Sequence, residues 1–205
     1  MELLKKITLT AIAVIFTANV YSQTTTEIQA AFTLSYTHEK NGEYAKAIDE
    51  MKKVHTEESY EVNLRLGWLN YEAGHFTVSI SYYQKAITLM PYAIEAKFGL
   101  VYPASAAGNW DQVISQYNEI LKIDSKNTVA NYRMGVIYYE RKDYKKSFEY
   151  LEKVVNLYPF DYDGLIMFAW CNYMLGNTRE AKVLFNKVLM LSPSDSSAKE
   201  GLGLL

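Results

Sequence analysis

Cysteine is almost absent from this chain of 205 residues: Cys171 stands alone, so no internal disulfide can brace the fold. Histidine is nearly as scarce, at His38, His55 and His75, and none has the i, i+4 partner that a helical zinc site uses. His55 is close in sequence to Glu57 and Glu58, but it falls in a connecting segment without ligand spacing and is expected to be solvated. No glycine-rich phosphate loop and no nucleophile elbow occur, so the sequence offers no catalytic constellation, no metal site and no cofactor site. Cys171, beside Trp170 and without a neighbouring cation, reads as a buried structural thiol. Charge of one sign is missing too: 21 basic residues face 23 acidic ones, which leaves no electrostatic footprint for nucleic acid.

The longest apolar stretch, Ile7 to Val20, spans about 21 Å as a helix, short of the roughly 30 Å hydrocarbon core of a bilayer. With Lys5 and Lys6 before it and Val20-Tyr21-Ser22 after it, residues 1–22 read as a cleavable signal peptide. No cysteine follows the stretch, so the lipoprotein pattern is missing. The expectation is an exported protein, periplasmic or secreted, without stable membrane insertion after cleavage. Without Glu2, Lys5 and Lys6 the basic and acidic residues number 19 and 22, a formal charge of −3.

What the chain does have is a repeat. A turn-opening small residue recurs at Gly42, Gly74, Gly108 and Gly176, with Lys142 in the remaining slot, at spacings of 32, 34, 34 and 34. An aromatic follows two residues later at Tyr44, Phe76, Trp110 and Tyr144, with Thr178 the exception. Pro91, Pro159 and Pro193 fall in phase where a helix would end, and Ser125 fills that slot in the third unit. Between these marks the apolar residues follow helical spacing, as in Leu64, Trp68 and Tyr71. Each unit therefore reads as helix, turn, helix. The turns and prolines interrupt any sustained heptad, which argues against a coiled coil.

Leu66-Gly67-Trp68-Leu69-Asn70-Tyr71 and Met134-Gly135-Val136-Ile137-Tyr138-Tyr139 resemble the first-helix signature of the tetratricopeptide repeat family. The family's small residue in the second helix is matched by Ala47, Ser79, Ser147 and Ala181, with Val113 departing. Its next apolar slot is matched by Met51, Tyr83, Tyr117, Leu151 and Phe185. The resemblance runs from about Ile28 to Asp195. It implies an all-α, right-handed superhelical solenoid of about five helix-turn-helix units, within one domain over residues 23–205: about 28–59, 60–93, 94–127, 128–161 and 162–195, then a partial helix over 196–205. Small residues would let paired helices approach while large ones fill the layer between units.

The resemblance also implies a function: a non-catalytic protein–protein interaction adaptor whose first helices line a concave groove. Carried onto this chain, the family's variable groove positions give Phe32, Tyr36, Leu64, Trp68, Tyr71, Phe98, Tyr102, Tyr132, Tyr139, Ile166, Trp170 and Tyr173 as the ligand-binding face, with acidic residues such as Glu39, Glu61 and Glu95 at its edges. The lysine and asparagine clamp that grips a terminal carboxylate elsewhere in the family is replaced here by Phe32, Tyr36, Leu64 and Trp68. Rigid aromatics with polar tips suit a protein or peptide segment that is apolar, proline-rich or basic. The alternative is a carbohydrate or peptidoglycan fragment stacked on the same rings. About a third to a half of these aromatics are expected to pack internally.

Two irregularities stand out. Pro103 is out of phase, inside the first helix of the third unit, where proline costs about 3 kcal/mol; Gly99 four residues earlier relieves its clash, and a groove-shaping kink and a tolerated irregularity remain equal readings. The end Leu202-Gly203-Leu204-Leu205 makes a poor solvating cap, so it is expected to fold back over unit five or to mediate self-association.

Overall fold

The computed structural model describes residues 25–205; the signal-peptide assignment to residues 1–22 lies outside them. Eleven helices and no strand are found among the described residues. They are α1 (residues 25–40), α2 (Tyr44–Lys53), α3 (Tyr60–Glu72), α4 (Phe76–Leu89), α5 (Ile94–Ala106), α6 (Trp110–Ile123), α7 (Thr128–Glu140), α8 (Tyr144–Leu157), α9 (Tyr162–Met174), α10 (Thr178–Leu191) and α11 (Ser196–Gly203). The chain divides into two compact units at Trp110/Asp111. The first holds α1 to α5, the second nearly all of α6 and the helices after it.

The turns follow from the repeat marks. Gly42, Gly74, Gly108 and Gly176 have φ between 72° and 78°, and Lys142 takes the same left-handed conformation at 60°. Each turn closes the preceding helix with a 6→1 hydrogen bond, as from His75 N–H to the Asn70 carbonyl (2.8 Å) and from Asp143 N–H to that of Tyr138 (2.9 Å). At the helix starts, Ser59, Asn127, Asp161 and Asp195 each accept the backbone N–H three residues on.

In the first unit Leu66 and Leu69 are wholly buried, in a cluster with Ala31, Ala47, Ile48, Met51 and Val62; each such leucine contributes about 1.5–3 kcal/mol. The small slot of the second helix works through a hydrogen bond as well as through size: buried Ser79 Oγ donates to the Gly67 carbonyl at 2.6 Å, and in the second unit Ser147 Oγ donates to that of Gly135 at 2.8 Å. Tyr83 is slotted between α3 and α5, where a Cβ on Gly67 or Gly99 would meet its ring at 2.9 Å or 2.2 Å. Gly99 therefore has a packing role that proximity to Pro103 did not suggest. Helix α5 continues through Pro103, whose ring is buried.

The short first repeat changes the following connection. Helix α2 has 10 residues against 14 in α4, and the loop after it is tied down by Asn63, whose Nδ2 donates to the Ser59 carbonyl at 2.7 Å. His55 is half-buried, not solvated: its Nε2 lies 3.2 Å from Asn63 Oδ1 and its ring packs edge-on against Tyr82. Glu57, its acidic neighbour in the sequence, pairs with Lys85. The same helix position carries Lys97 and Asn131, which donate to the Pro91 and Ser125 carbonyls of their own preceding linkers.

At the other end, α11 packs on the second unit. Ala198 and Gly201 are buried, and Leu202 joins a core built on Leu165, Phe168, Leu184 and Phe185. Leu204 and Leu205 remain exposed.

Candidate functional site

The sequence places aromatic and aliphatic residues four apart on successive first helices, and four residues is just over one helical turn. In the first unit this brings Phe32 and Tyr36 of α1, Leu64 and Trp68 of α3, and Phe98 and Tyr102 of α5 to one groove of about 790 Å³. Tyr60, Glu61, Arg65, Tyr83, Met90, Glu95 and Gly99 complete its lining. Tyr71 does not line it; it buttresses the wall, with its ring centroid 5.7 Å from both Trp68 and Tyr102 and 6.1 Å from Phe76.

The floor is a buried polar network. Arg65 is only 7% exposed; its Nε donates to Ser35 Oγ at 2.9 Å, its Nη2 lies 2.7 Å from Glu39 Oε2, and its guanidinium covers the Tyr36 ring at 4.0 Å. The other Glu39 oxygen accepts from Trp68 Nε1 at 2.5 Å. Burial pushes the Glu39 carboxyl up, but the hydrogen bonds from Arg65 and Trp68 and the Arg65 charge outweigh it and hold it below the usual range. The consequence is chemical: the Trp68 N–H and the Arg65 charge are already satisfied. What the groove offers a ligand is ring faces, the half-exposed Tyr36 and Tyr102, and the carboxylates of Glu61 and Glu95. Burial, and to a smaller degree the Glu95 carboxylate that its hydroxyl meets at 3.4 Å, raises the Tyr60 phenol.

In the second unit the matching residues are partly buried, as Phe32, Leu64 and Trp68 are in the first; what sets the first unit apart is the exposure of Tyr36 and Tyr102. Tyr132, Tyr139, Ile166, Trp170 and Tyr173 all pack against the second unit's core as partly buried side chains. Trp170 donates through Nε1 to Ser197 Oγ at 2.8 Å and meets the Phe185 ring at 5.1 Å, so α11 occupies its polar tip. Burial raises the phenols of Tyr132 and Tyr139. A second concavity of this unit, about 630 Å³ between α6 and α8, is lined by Asp111, Glu119, Lys122, Tyr150 and Lys153 among others and was not foreseen. Its signal in the sequence, a tyrosine at 150 stacked on Tyr138, lies off the first-helix pattern.

Sequence reasoning missed Arg65 and its partner Ser35, because a lone base between Leu64 and Leu66 gives no hint of the acid it meets 26 residues earlier. Cys171 is buried as expected, and burial raises its thiol. Among the described residues no group of three or more His, Cys, Asp and Glu is placed to hold a metal ion, and no helix is long and apolar enough to cross a membrane.

Comparison with known proteins agrees with the helix-turn-helix array. Two family models described as tetratricopeptide repeat match residues 60–91 and 129–161. The RNA polymerase-associated protein CTR9 of Caenorhabditis elegans is 25% identical over 113 residues; the match takes in 55% of this chain and only 10% of that protein. Among solved structures, a tetratricopeptide repeat protein from Parabacteroides merdae superposes with a TM-score of 0.74 at 18% identity, covering 86% of this chain and 71% of its own. YrrB, a repeat protein whose structure shows an unusual peptide-binding site, gives 0.65 at 20% identity, covering 78% and 80%. At these identities the likeness concerns the fold.

Proposed function

This chain is a tetratricopeptide repeat protein, an all-α helical array of the solenoid class, and from that premise we propose that it is a non-catalytic adaptor that holds a segment of a partner protein in the groove of its first unit. Repeats of this family serve protein–protein interaction in general, and YrrB couples the same fold to a peptide-binding site. One observation carries the reading for this chain. The groove is walled by six apolar side chains, while Arg65 beneath them is ion-paired with Glu39 and bonded to Ser35 and the Trp68 N–H is bonded to Glu39, so a ligand entering it gains apolar contact with these polar groups already engaged. Tyr36 and Tyr102, each about half exposed, supply rigid rings with a free polar tip at low entropy cost. The mode is an extended or helical segment anchored by apolar or proline side chains.

The compartment belongs to the same proposal and rests on Lys5, Lys6 and the apolar stretch that follows: the adaptor works outside the cytoplasm. Its test is the mass of the protein recovered from cell fractions, with a cytoplasmic, uncleaved product as the opposing result.

A displayed random-peptide library tests the groove. Peptides retained by the parent and lost by Trp68→Ala and Tyr102→Ala variants, each shown by circular dichroism to melt as a folded protein, support the site. Equal retention by parent and variants places binding elsewhere, and retention of glycans with no peptide overturns the protein ligand.

A further inference from the structure

We infer that the first-unit groove selects a segment that carries a lysine or arginine beside its apolar anchor, with the cation seated between Glu61 and Glu95. This rests on the groove being the binding site. Charge is what points to a cation. Three charged side chains besides Glu39 bear on the groove, and the single cation among them, Arg65, is buried and already neutralised by Glu39. Glu61 and Glu95 are exposed, and neither has an ion-pair partner among the described residues. Both occupy the first turns of neighbouring, mutually packed helices, α3 and α5, so they lie at the same end of the groove. The Tyr60 hydroxyl, 3.4 Å from Glu95 Oε2, joins the two helices there.

An acid in a first helical turn has a structural reason, since it complements the helix dipole, and Asp163 holds the equivalent place in α9. That reason accounts for each acid alone. It does not account for two of them facing one apolar groove whose only cation is internally compensated. A neutral segment leaves both carboxylates beside apolar surface without a cationic partner, an acidic one adds repulsion, and a basic one is complementary. The geometry also sets a spacing. Trp68 is seven residues beyond Glu61 on α3, about 10 Å along the helix, a span that an extended ligand covers in about three residues.

Nine-residue Gly/Ser peptides with one phenylalanine and, three residues away, arginine, its neutral isostere citrulline, or glutamate are the probes, read by fluorescence anisotropy against the full chain. The arginine peptide binds tightest and the glutamate peptide weakest, and the difference shrinks in high salt. Exposed pairs are individually weak, so a Glu61→Gln, Glu95→Gln double variant lowers affinity for the arginine peptide by about two- to twentyfold and leaves the citrulline peptide unchanged. Equal binding of the arginine and citrulline peptides, or an equal loss of both in the double variant, overturns the cation seat; the groove itself then survives if Trp68→Ala still weakens all three. Failure of Trp68→Ala to weaken any of them, or no binding by any peptide up to about 1 mM, rejects the groove and the seat together.

Discussion

Replacing Gly99 by alanine sets two physical effects of opposite sign against each other. Helix propensity alone favours alanine by about 1 kcal/mol in a helix interior. Packing opposes it: the new Cβ would sit 2.2 Å from Tyr83 Cε1, 2.6 Å from Cζ and 2.8 Å from Cδ1. The ring has little room to retreat, because Tyr83 is 3% exposed and its other side lies against Gly67, where a Cβ would meet it at 2.9 Å. Relieving a 2.2 Å approach takes more than 1 Å of movement, so the upper part of the usual range for overpacking, about 2–3 kcal/mol, applies. The net effect is a loss of about 1–2 kcal/mol, a fall in Tm of at least about 4 °C for a cooperative unit of this size. Thermal unfolding by circular dichroism reads it, with Gly203→Ala as the control, since a Cβ at that helical glycine meets nothing within 4 Å and Tm should hold or rise slightly. Adding Tyr83→Leu should recover most of the Gly99→Ala loss relative to Tyr83→Leu alone, a coupling a double-mutant cycle isolates. A rise in Tm for Gly99→Ala by itself refutes the reasoning.

Lys142 holds a φ of 60° where the other four turns use glycine, a conformation that costs an L-residue about 1–2 kcal/mol; Lys142→Gly removes that cost against a smaller entropic loss and should stabilise by about 0.5–1 kcal/mol in urea denaturation. Glu39→Gln leaves the Arg65 charge uncompensated, for a loss of about 1–3 kcal/mol at neutral pH. Because the folded Glu39 carboxyl is held below its ordinary value, the stability it contributes is fully present above about pH 5 and is lost as pH falls below about 4. The difference between parent and Glu39→Gln should therefore shrink across that window, and a difference independent of pH would contradict the ion pair. Pro103→Ala restores a backbone donor inside α5, a gain of up to about 3 kcal/mol that exceeds the stabilisation its buried ring supplies; Tm should rise, and a fall would show that ring packing dominates.

Much of the architecture was legible because its marks are local. A residue that must adopt a positive φ, a proline that cannot continue a helix and apolar residues at helical spacing each act within a few residues, and all recur with the repeat. The groove was legible in part. Phe32, Tyr36, Leu64, Trp68, Phe98 and Tyr102 do share one cavity, since residues on the same face of adjacent helices converge whatever their neighbours are. Their counterparts Tyr132, Tyr139, Ile166, Trp170 and Tyr173 pack partly buried on the second unit's core, as Phe32, Leu64 and Trp68 do on the first unit's, but α11 takes the Trp170 hydrogen bond where Glu39 takes that of Trp68. Nothing near Trp170 in the chain announces Ser197 as its partner. Gly99 illustrates the same limit: its local meaning was relief for Pro103, and its tertiary meaning is room for a ring from the preceding helix.

By itself, then, the sequence determined the helix-turn-helix unit, its period, its turn chemistry and the family it belongs to, because those depend on backbone conformation and on residue size at fixed offsets. Tertiary structure decided that the Tyr36 and Tyr102 rings stay exposed, that Arg65 is neutralised by Glu39, and that Glu61 and Glu95 face one groove. The physical reason is that exposure and charge compensation are properties of pairs. A side chain's charge or ring can be read from the chain, whereas the group that covers or neutralises it comes from tens of residues away and is settled only when the helices pack.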